Sequence, residues 1–135
     1  NLAVLLIKDP AAQVSTPWAY SKCRQLRQEF YLNEEQDFEH RRAQLRKKSN
    51  QQWHELRNDL QEVVAPDVAS VRSGLALLES SAHLLGCAMS GSGPSLFGLF
   101  LDRSLASAAE LQLLPALRKN GFDHWVCEFE PARNF

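Results

Sequence analysis

Apolar residues alternate with polar stretches along this chain in a way that predicts both strands and helices. The aliphatic run at 2–7 predicts a strand that is buried on both faces or nearly so. Ser15, Thr16 and Pro17 then supply a hydroxyl cap and a proline at the first helical position, so a helix is predicted from 17 to 28. Residues 29–39 show neither the period of a helix nor that of a strand and are predicted to form a surface loop.

The middle of the chain predicts two further helices. Residues 41–64 are mostly helix-forming, and the face predicted to pack on the core consists of Trp53, Leu56, Leu60 and Val63. Residues 66–85 carry the clearest helical repeat, which runs from Val68 to Leu85 before Gly86. We therefore expect Ala82 and Leu85 to lie on the buried face of this helix.

The last third predicts a hairpin, a helix and a closing strand. Short apolar runs at 87–89 and 96–101 flank a glycine-containing turn at 90–94. Ser104 is predicted to cap a helix that Pro115 kinks or divides and Gly121 ends. The predicted inward face of that helix consists of Leu105, Ala108, Leu111 and Leu114. Residues 122–130 alternate, with Trp125, Cys127 and Phe129 on one side.

The resulting order is β-α-(loop)-α-α-β-β-α-β, which indicates an α+β fold. We expect a ferredoxin-like two-layer sandwich, a mainly antiparallel sheet with helices on one face. A chain of 135 residues fits one such domain, so residues 1–135 are interpreted as a single unit.

Composition and charge exclude several classes of function. Fifteen Lys and Arg balance sixteen Asp and Glu, so no general attraction to nucleic acid or to an anionic membrane is expected. The basic run at 41–48 follows acidic residues and is interpreted as a solvated helix face. Three dispersed cysteines without a CxxC pair and four isolated histidines predict no disulfide framework and no metal site, and favour a cytoplasmic setting.

Three short segments are candidates for binding chemistry. Ser90, Gly91, Ser92 and Gly93 form a small-residue turn whose backbone amides suit a phosphate; the alternative is a β-turn that needs glycine for shape alone. Thr16 and Tyr20 open a capped helix on which Tyr20 is positioned to stack on a base; the alternative is that Trp18 and Tyr20 fill the core.

The third segment, Leu56 to Gln61, interrupts a helix with Asn58 and Asp59. These two side chains are expected to cap the restarting helix or to bind a nearby loop. A purely structural role is the favoured interpretation here. No catalytic residue and no acid–base pair of carboxylates is predicted anywhere in the chain.

In this order the three segments resemble the second domain of GHMP kinases, through V-S-T-P-W-A-Y, L-R-N-D-L and M-S-G-S-G-P-S. Within that family they look most like the branch that phosphorylates the 2-hydroxyl of 4-diphosphocytidyl-2-C-methyl-D-erythritol in non-mevalonate isoprenoid synthesis. The resemblance implies that Thr16 and Tyr20 contribute to a cytidine pocket. It also implies that the turn at 90–93 lies near the ligand phosphates and braces the ATP loop of a preceding domain.

The same resemblance implies ATP and Mg as cofactors, bound mainly by the preceding N-terminal domain. The chain begins in a strand and lacks the family's glycine-rich ATP loop, so that domain is expected to be missing and the isolated chain inactive. The expected partners are a small-molecule substrate and this N-terminal domain. Two alternatives remain: a GHMP kinase with a homoserine, mevalonate or galactose-type acceptor, and a ferredoxin-like ligand-binding or regulatory module without chemistry.

Overall fold

The structure, a computed structural model, describes residues 1–26, 35–48 and 56–130. The strands are β1 (Ala3–Lys8), β2 (Gly86–Met89), β3 (Leu96–Phe100) and β4 (Asp123–Glu128), and the helices are α1 (Thr16–Leu26), α2 (Glu35–Lys48), α3 (Asp59–Val64), α4 (Ala69–Glu79) and α5 (Arg103–Lys119). The strands form one antiparallel sheet in the order β2-β3-β1-β4. The α+β two-layer fold class and the order of the four strands along the chain are confirmed, whereas the structure has one helix more than the prediction.

The first strand of the chain lies inside the sheet, between β3 and β4. Ala3, Leu5 and Ile7 are fully buried, whereas the intervening Val4 and Leu6 are half-buried. The predicted strand is confirmed, with one face fully buried and the other half-buried. Helices cover one face of the sheet, and the core lies on that side.

Helix α4 approaches the sheet closely because it carries a glycine. A Cβ atom on Gly74 would lie 3.1 Å from Phe122 Cζ and 3.3 Å from Ile7 Cδ1, and it would overlap the side chain of Leu96. Leu78, one turn later, is fully buried in the same core. The glycine weakens the helix locally but lets its backbone lie against β1 and β3.

Helix α5 buries a different face from the one predicted. Its core residues are Ala106, Ala109, Leu113 and Leu117. Leu111, expected inside, is 71% exposed. The N-cap is Asp102, whose Oδ1 accepts from the Leu105 amide at 2.9 Å, and not Ser104. The helix also continues through Pro115, which lies on its exposed side.

The middle of the chain departs from the prediction at two points. Helix α2 begins at Glu35, so the loop predicted at 29–39 is wrong for its last five residues; residues 29–34 lie outside the described part. The helix predicted over 41–64 is interrupted, because residues 56–58 are not helical and α3 begins at Asp59. Leu60 and Val63 are buried as predicted, and Trp53 lies outside the described residues.

Helix α4 ends at Glu79, six residues earlier than its apolar pattern suggested. The Ser80 hydroxyl donates to the Leu77 carbonyl at 2.7 Å, and the Ser81 hydroxyl donates to the Leu78 carbonyl at 2.6 Å. These side chains occupy carbonyls at the helix end, and the chain leaves the helix there. Ala82 is consequently exposed, and the prediction that it packs inward is wrong.

Strand β4 closes the sheet as an edge strand against β1. Its alternation is confirmed, but Trp125 and Cys127 lie on the exposed side, as does Phe129 just beyond the strand. Among residues 1–26, 35–48 and 56–130, no helix has the length and apolar character that a bilayer span requires.

Candidate functional site at the sheet edge

Two of the predicted motifs meet at one end of the sheet, where the inner strands β1 and β3 lie side by side. Thr16 Oγ1 and Ser92 Oγ lie 2.8 Å apart, within hydrogen-bond distance, although the residues are 76 positions apart in the chain. The topology explains this contact, because Ile7 at the end of β1 pairs with Leu96 at the start of β3. The chain leaving β1 and the turn entering β3 therefore lie at the same end of the sheet.

The first helix presents its aromatic residues to solvent. Ala19 and Cys23 are its buried residues, whereas Trp18 is 38% exposed and Tyr20 is 51% exposed. The alternative interpretation, in which Trp18 and Tyr20 fill the core, is therefore wrong. Because Thr16 and Tyr20 are four residues apart in a helix, they lie on the same side of α1.

The small-residue turn is held in shape by its own backbone. The Ser90 amide donates to the Ser95 carbonyl at 2.8 Å, and the Gly93 amide donates to the Ser90 carbonyl at 3.0 Å. Gly91 and Gly93 have φ angles of 57° and 84°, which side chains disfavour. Glycine is thus needed for the shape of the turn, and the turn surface remains partly exposed.

The third segment also binds this turn. Asn58 Nδ2 donates to the carbonyls of Met89 and Gly91 at 2.7 and 2.8 Å. Its Oδ1 accepts from the Leu60 amide at 3.0 Å and so caps α3. Both structural roles expected for Asn58 are confirmed. Gln61 Oε1 also accepts from the Met89 amide at 2.9 Å, a contact that the sequence pattern did not indicate.

A lysine on α1 fixes the helix beside the turn. Lys22 Nζ lies 5.0 Å from the centroid of the Trp18 ring and forms an ion pair with Asp67. Asp67 follows α3, so this pair connects the two helices that flank the site. Lys22 was not among the predicted site residues, although its spacing of four residues from Trp18 is the signal for such a contact.

The site contains groups of the kinds that can bind and orient a ligand. Hydroxyls of Thr16 and Ser92, backbone amides of the turn and the ring of Tyr20 suit a polar ligand with a planar ring and anionic groups. Within the described part of the chain, no three His, Cys, Asp or Glu side chains are grouped to hold a metal ion.

The strand that leads into the turn, β2, carries a cysteine with a raised pKa. Burial is the larger cause of the raised pKa of Cys87, and the negative charge of Glu79 is the smaller one.

Comparison with known proteins supports the same view of the fold. The family model described as GHMP kinases C terminal matches residues 32–119. The chain is 50% identical over 135 residues to a protein of Synechococcus sp. (strain CC9605) named 4-diphosphocytidyl-2-C-methyl-D-erythritol kinase, with 93% of this chain and 43% of the relative covered. A protein of the same name from Prochlorococcus marinus (strain MIT 9313) is 47% identical, with 96% and 42% covered.

A crystal structure of 4-(cytidine 5'-diphospho)-2C-methyl-D-erythritol kinase has the same fold, with a TM-score of 0.56 and 23% identity. The alignment covers 93% of this chain and 42% of that structure. The chain thus spans less than half the length of the relatives it matches. The family match covers more than half of the present chain. The chain therefore belongs to the GHMP kinase family, as a C-terminal domain of that family.

Proposed function

We propose that this chain is the substrate-side domain of a kinase that transfers the γ-phosphoryl of ATP to the 2-hydroxyl of 4-diphosphocytidyl-2-C-methyl-D-erythritol. The observation that carries the proposal is the 2.8 Å contact between Thr16 Oγ1 and Ser92 Oγ. It joins two of the three segments of the GHMP-like pattern at an exposed end of the sheet, where a ligand can reach both. The names of the relatives supply the substrate class.

In this proposal Thr16 and Tyr20 bind the cytidine end of the substrate. The exposed Tyr20 ring offers a face for base stacking, and the Thr16 hydroxyl offers a polar contact one turn away. Phosphates of the ligands lie near Ser90, Gly91, Ser92 and Gly93, and this turn also braces the ATP loop of a further domain. Phosphoryl transfer depends mainly on positioning and charge stabilisation, which such contacts provide.

ATP and Mg²⁺ are assigned mainly to that further domain. The described residues provide no group of metal ligands, and the site offers hydroxyls and amides in place of carboxylates. The chain matches only 43% of the Synechococcus relative, which leaves room there for a nucleotide-binding domain. The free Cys23, Cys87 and Cys127 are compatible with a reducing compartment, so we place the reaction in the cytoplasm.

A hybrid enzyme tests this function. The 135 residues replace the matching segment of the Synechococcus relative, and phosphorylation of the cytidine substrate by ATP is measured. We expect turnover by the hybrid and none by the 135-residue chain alone. Turnover by the chain alone contradicts the division between domains.

The same hybrid separates the alternatives. A folded hybrid that phosphorylates homoserine, mevalonate or galactose, and leaves the cytidine substrate untouched, contradicts the substrate assignment. Tight binding of an amino acid by the chain, measured by calorimetry, without any binding of cytidine compounds would favour the regulatory module.

A further inference from the structure

Asn58 uses its whole carboxamide to connect α3 to the turn at 90–93. One side-chain nitrogen donates to two carbonyls of the hairpin, those of Met89 and Gly91, and the side-chain oxygen accepts from the Leu60 amide. An asparagine can do this because its amide carries two donors and an acceptor at fixed geometry. The contact therefore holds one particular arrangement of the turn backbone.

The direction of the Gly91 carbonyl determines the direction of the next amide. In a trans peptide the C=O and N–H groups point to opposite sides. Since the Gly91 carbonyl points to Asn58, the Ser92 N–H points away from it. Likewise the Ser90 carbonyl accepts from Gly93, so the Gly91 N–H points away from the interior of the turn. Within the described residues, neither of these two amides has a hydrogen-bond partner.

Glycine makes this arrangement dependent on an external contact. Gly91 has a φ of 57°, and no atom lies within 4 Å of where its Cβ would be. A glycine in open space has access to several backbone conformations. The two backbone hydrogen bonds of the turn do not involve the Gly91 carbonyl, and Asn58 is the group that holds this carbonyl.

We propose that Asn58 is a positioning residue that sets the Gly91–Ser92 peptide so that the Ser92 amide faces a phosphate of the bound ligand. The inference rests on the proposed function for the identity of the ligand. Asn58 does not touch the ligand; it acts through the backbone. Amides fixed in this way bind an anion without reorganisation when the ligand arrives.

The variant Asn58→Ser tests the proposal in the hybrid enzyme. Serine retains an oxygen that caps α3 and removes the Nδ2 donor. We measure affinities for CDP and cytidine, and for ATP and adenosine, as two matched pairs. Loss of one hydrogen bond to a charged phosphate lowers affinity about tenfold or more. We expect that loss for one phosphorylated ligand, with less than about a twofold change for its nucleoside.

The pair that changes identifies the phosphate. A loss confined to CDP indicates the diphosphate of the substrate, and a loss confined to ATP indicates the nucleotide. The control is Asp102→Ala, which removes the cap of α5 at the opposite end of β3. It lowers general stability. We expect it to leave unchanged the ratio of the affinities for CDP and cytidine, and the ratio of those for ATP and adenosine. Equal ratios in Asn58→Ser and wild type overturn the proposal.

A second measurement does not depend on kinase activity. In the ¹⁵N-labelled 135-residue chain, Asn58→Ser should shift the amide resonances of Gly91 and Ser92, while those of residues around Asp102 stay in place. Unchanged Gly91 and Ser92 resonances would also overturn the proposal. An inactive wild-type hybrid combined with shifted resonances would instead contradict the proposed function and leave the structural role of Asn58 supported.

Discussion

Two aromatic residues on α1 differ in what their rings contact. Trp18 lies beneath Lys22, which is itself paired with Asp67, so its ring helps to fix the helix. Tyr20 is 51% exposed on the side of the helix that also carries Thr16. The ring of Tyr20 is therefore the better candidate for contact with a base.

Substitution of Tyr20 tests this assignment. In the hybrid enzyme, Tyr20→Ala should raise the KM for the cytidine substrate about tenfold, because stacking on one base contributes about 1–3 kcal/mol. The KM for ATP should change less than about twofold. Tyr20→Phe is the matched control and should resemble wild type, since stacking needs the ring and not the hydroxyl. An unaltered substrate KM in Tyr20→Ala would refute the role.

The three cysteines should differ in reactivity. Cys127 is exposed, Cys23 is buried, and burial followed by the Glu79 charge raises the pKa of Cys87. The thiolate is the reactive form, so a raised pKa leaves less of it at a given pH. With a disulfide reagent at pH 8, Cys127 should react first and Cys87 more slowly. Because its pKa is raised, the reaction rate of Cys87 should continue to increase with pH beyond the range in which cysteine thiols ordinarily ionise.

Two variants check the order of reaction. Cys127→Ser should remove the fast phase, and Glu79→Gln should accelerate the Cys87 phase because it removes the second cause of the pKa shift. The explanation fails if Cys87 reacts as fast as Cys127 in the folded protein.

At the scale of elements, the hairpin turn depends on two glycines in different surroundings. A Cβ on Gly93 would lie 2.7 Å from Met89 Sδ, whereas nothing lies within 4 Å of a Cβ on Gly91. Both have positive φ, so each alanine substitution introduces backbone strain of about 1–2 kcal/mol. Gly93→Ala must in addition displace the buried Met89 side chain.

We therefore expect Gly93→Ala to lower the free energy of unfolding by about 1–3 kcal/mol more than Gly91→Ala does. Urea denaturation of both variants measures the difference. Gly121→Ala is a control away from the turn, because it has positive φ and open space. Equal losses for Gly91→Ala and Gly93→Ala would show that Met89 does not limit the turn.

Elements marked by local signals were predictable, and elements chosen by packing were not. The run at 2–7 is continuously aliphatic, and the hairpin around 90–94 has clear turn residues; the strands predicted from these signals were confirmed. Helix α5 carries apolar residues on most sides, so its pattern did not identify the face that the sheet selects through Ala106 and Ala109. The end of α4 depends on Ser80 and Ser81, whose hydroxyls bond back to the helix.

The site was predictable only through resemblance. Spacing along the chain does not show that Thr16 meets Ser92, because that contact depends on the pairing of β1 with β3. Asn58 was recognised as an interruption of a helix, a local signal, and its partners were not. Gln61 carries no local signal, since a glutamine within a helix is ordinary.

At the scale of the whole molecule, one core connects the sheet to the helices on its covered face. Phe100 at the end of β3 is fully buried in it, whereas the next residue, Leu101, is 54% exposed. Phe100→Ala should lower the free energy of unfolding by about 3–5 kcal/mol, a large part of the stability of a single domain.

Leu101→Ala is the neighbouring control, with an expected change within about 0.5 kcal/mol. Thermal or urea denaturation of the two variants tests whether burial, rather than position in the chain, determines the loss. Similar losses in both would contradict the described core.

The inner position of β1 has a consequence for synthesis on the ribosome. Within this domain β1 is synthesised before both of its neighbours, β3 and β4, and β4 ends at Glu128. After β1, about 90 further residues must be translated before β3 begins, and more than 110 before β4 begins. Such distant pairing slows folding, so the nascent aliphatic strand stays exposed until almost the whole domain has left the exit tunnel and is a natural target for chaperones.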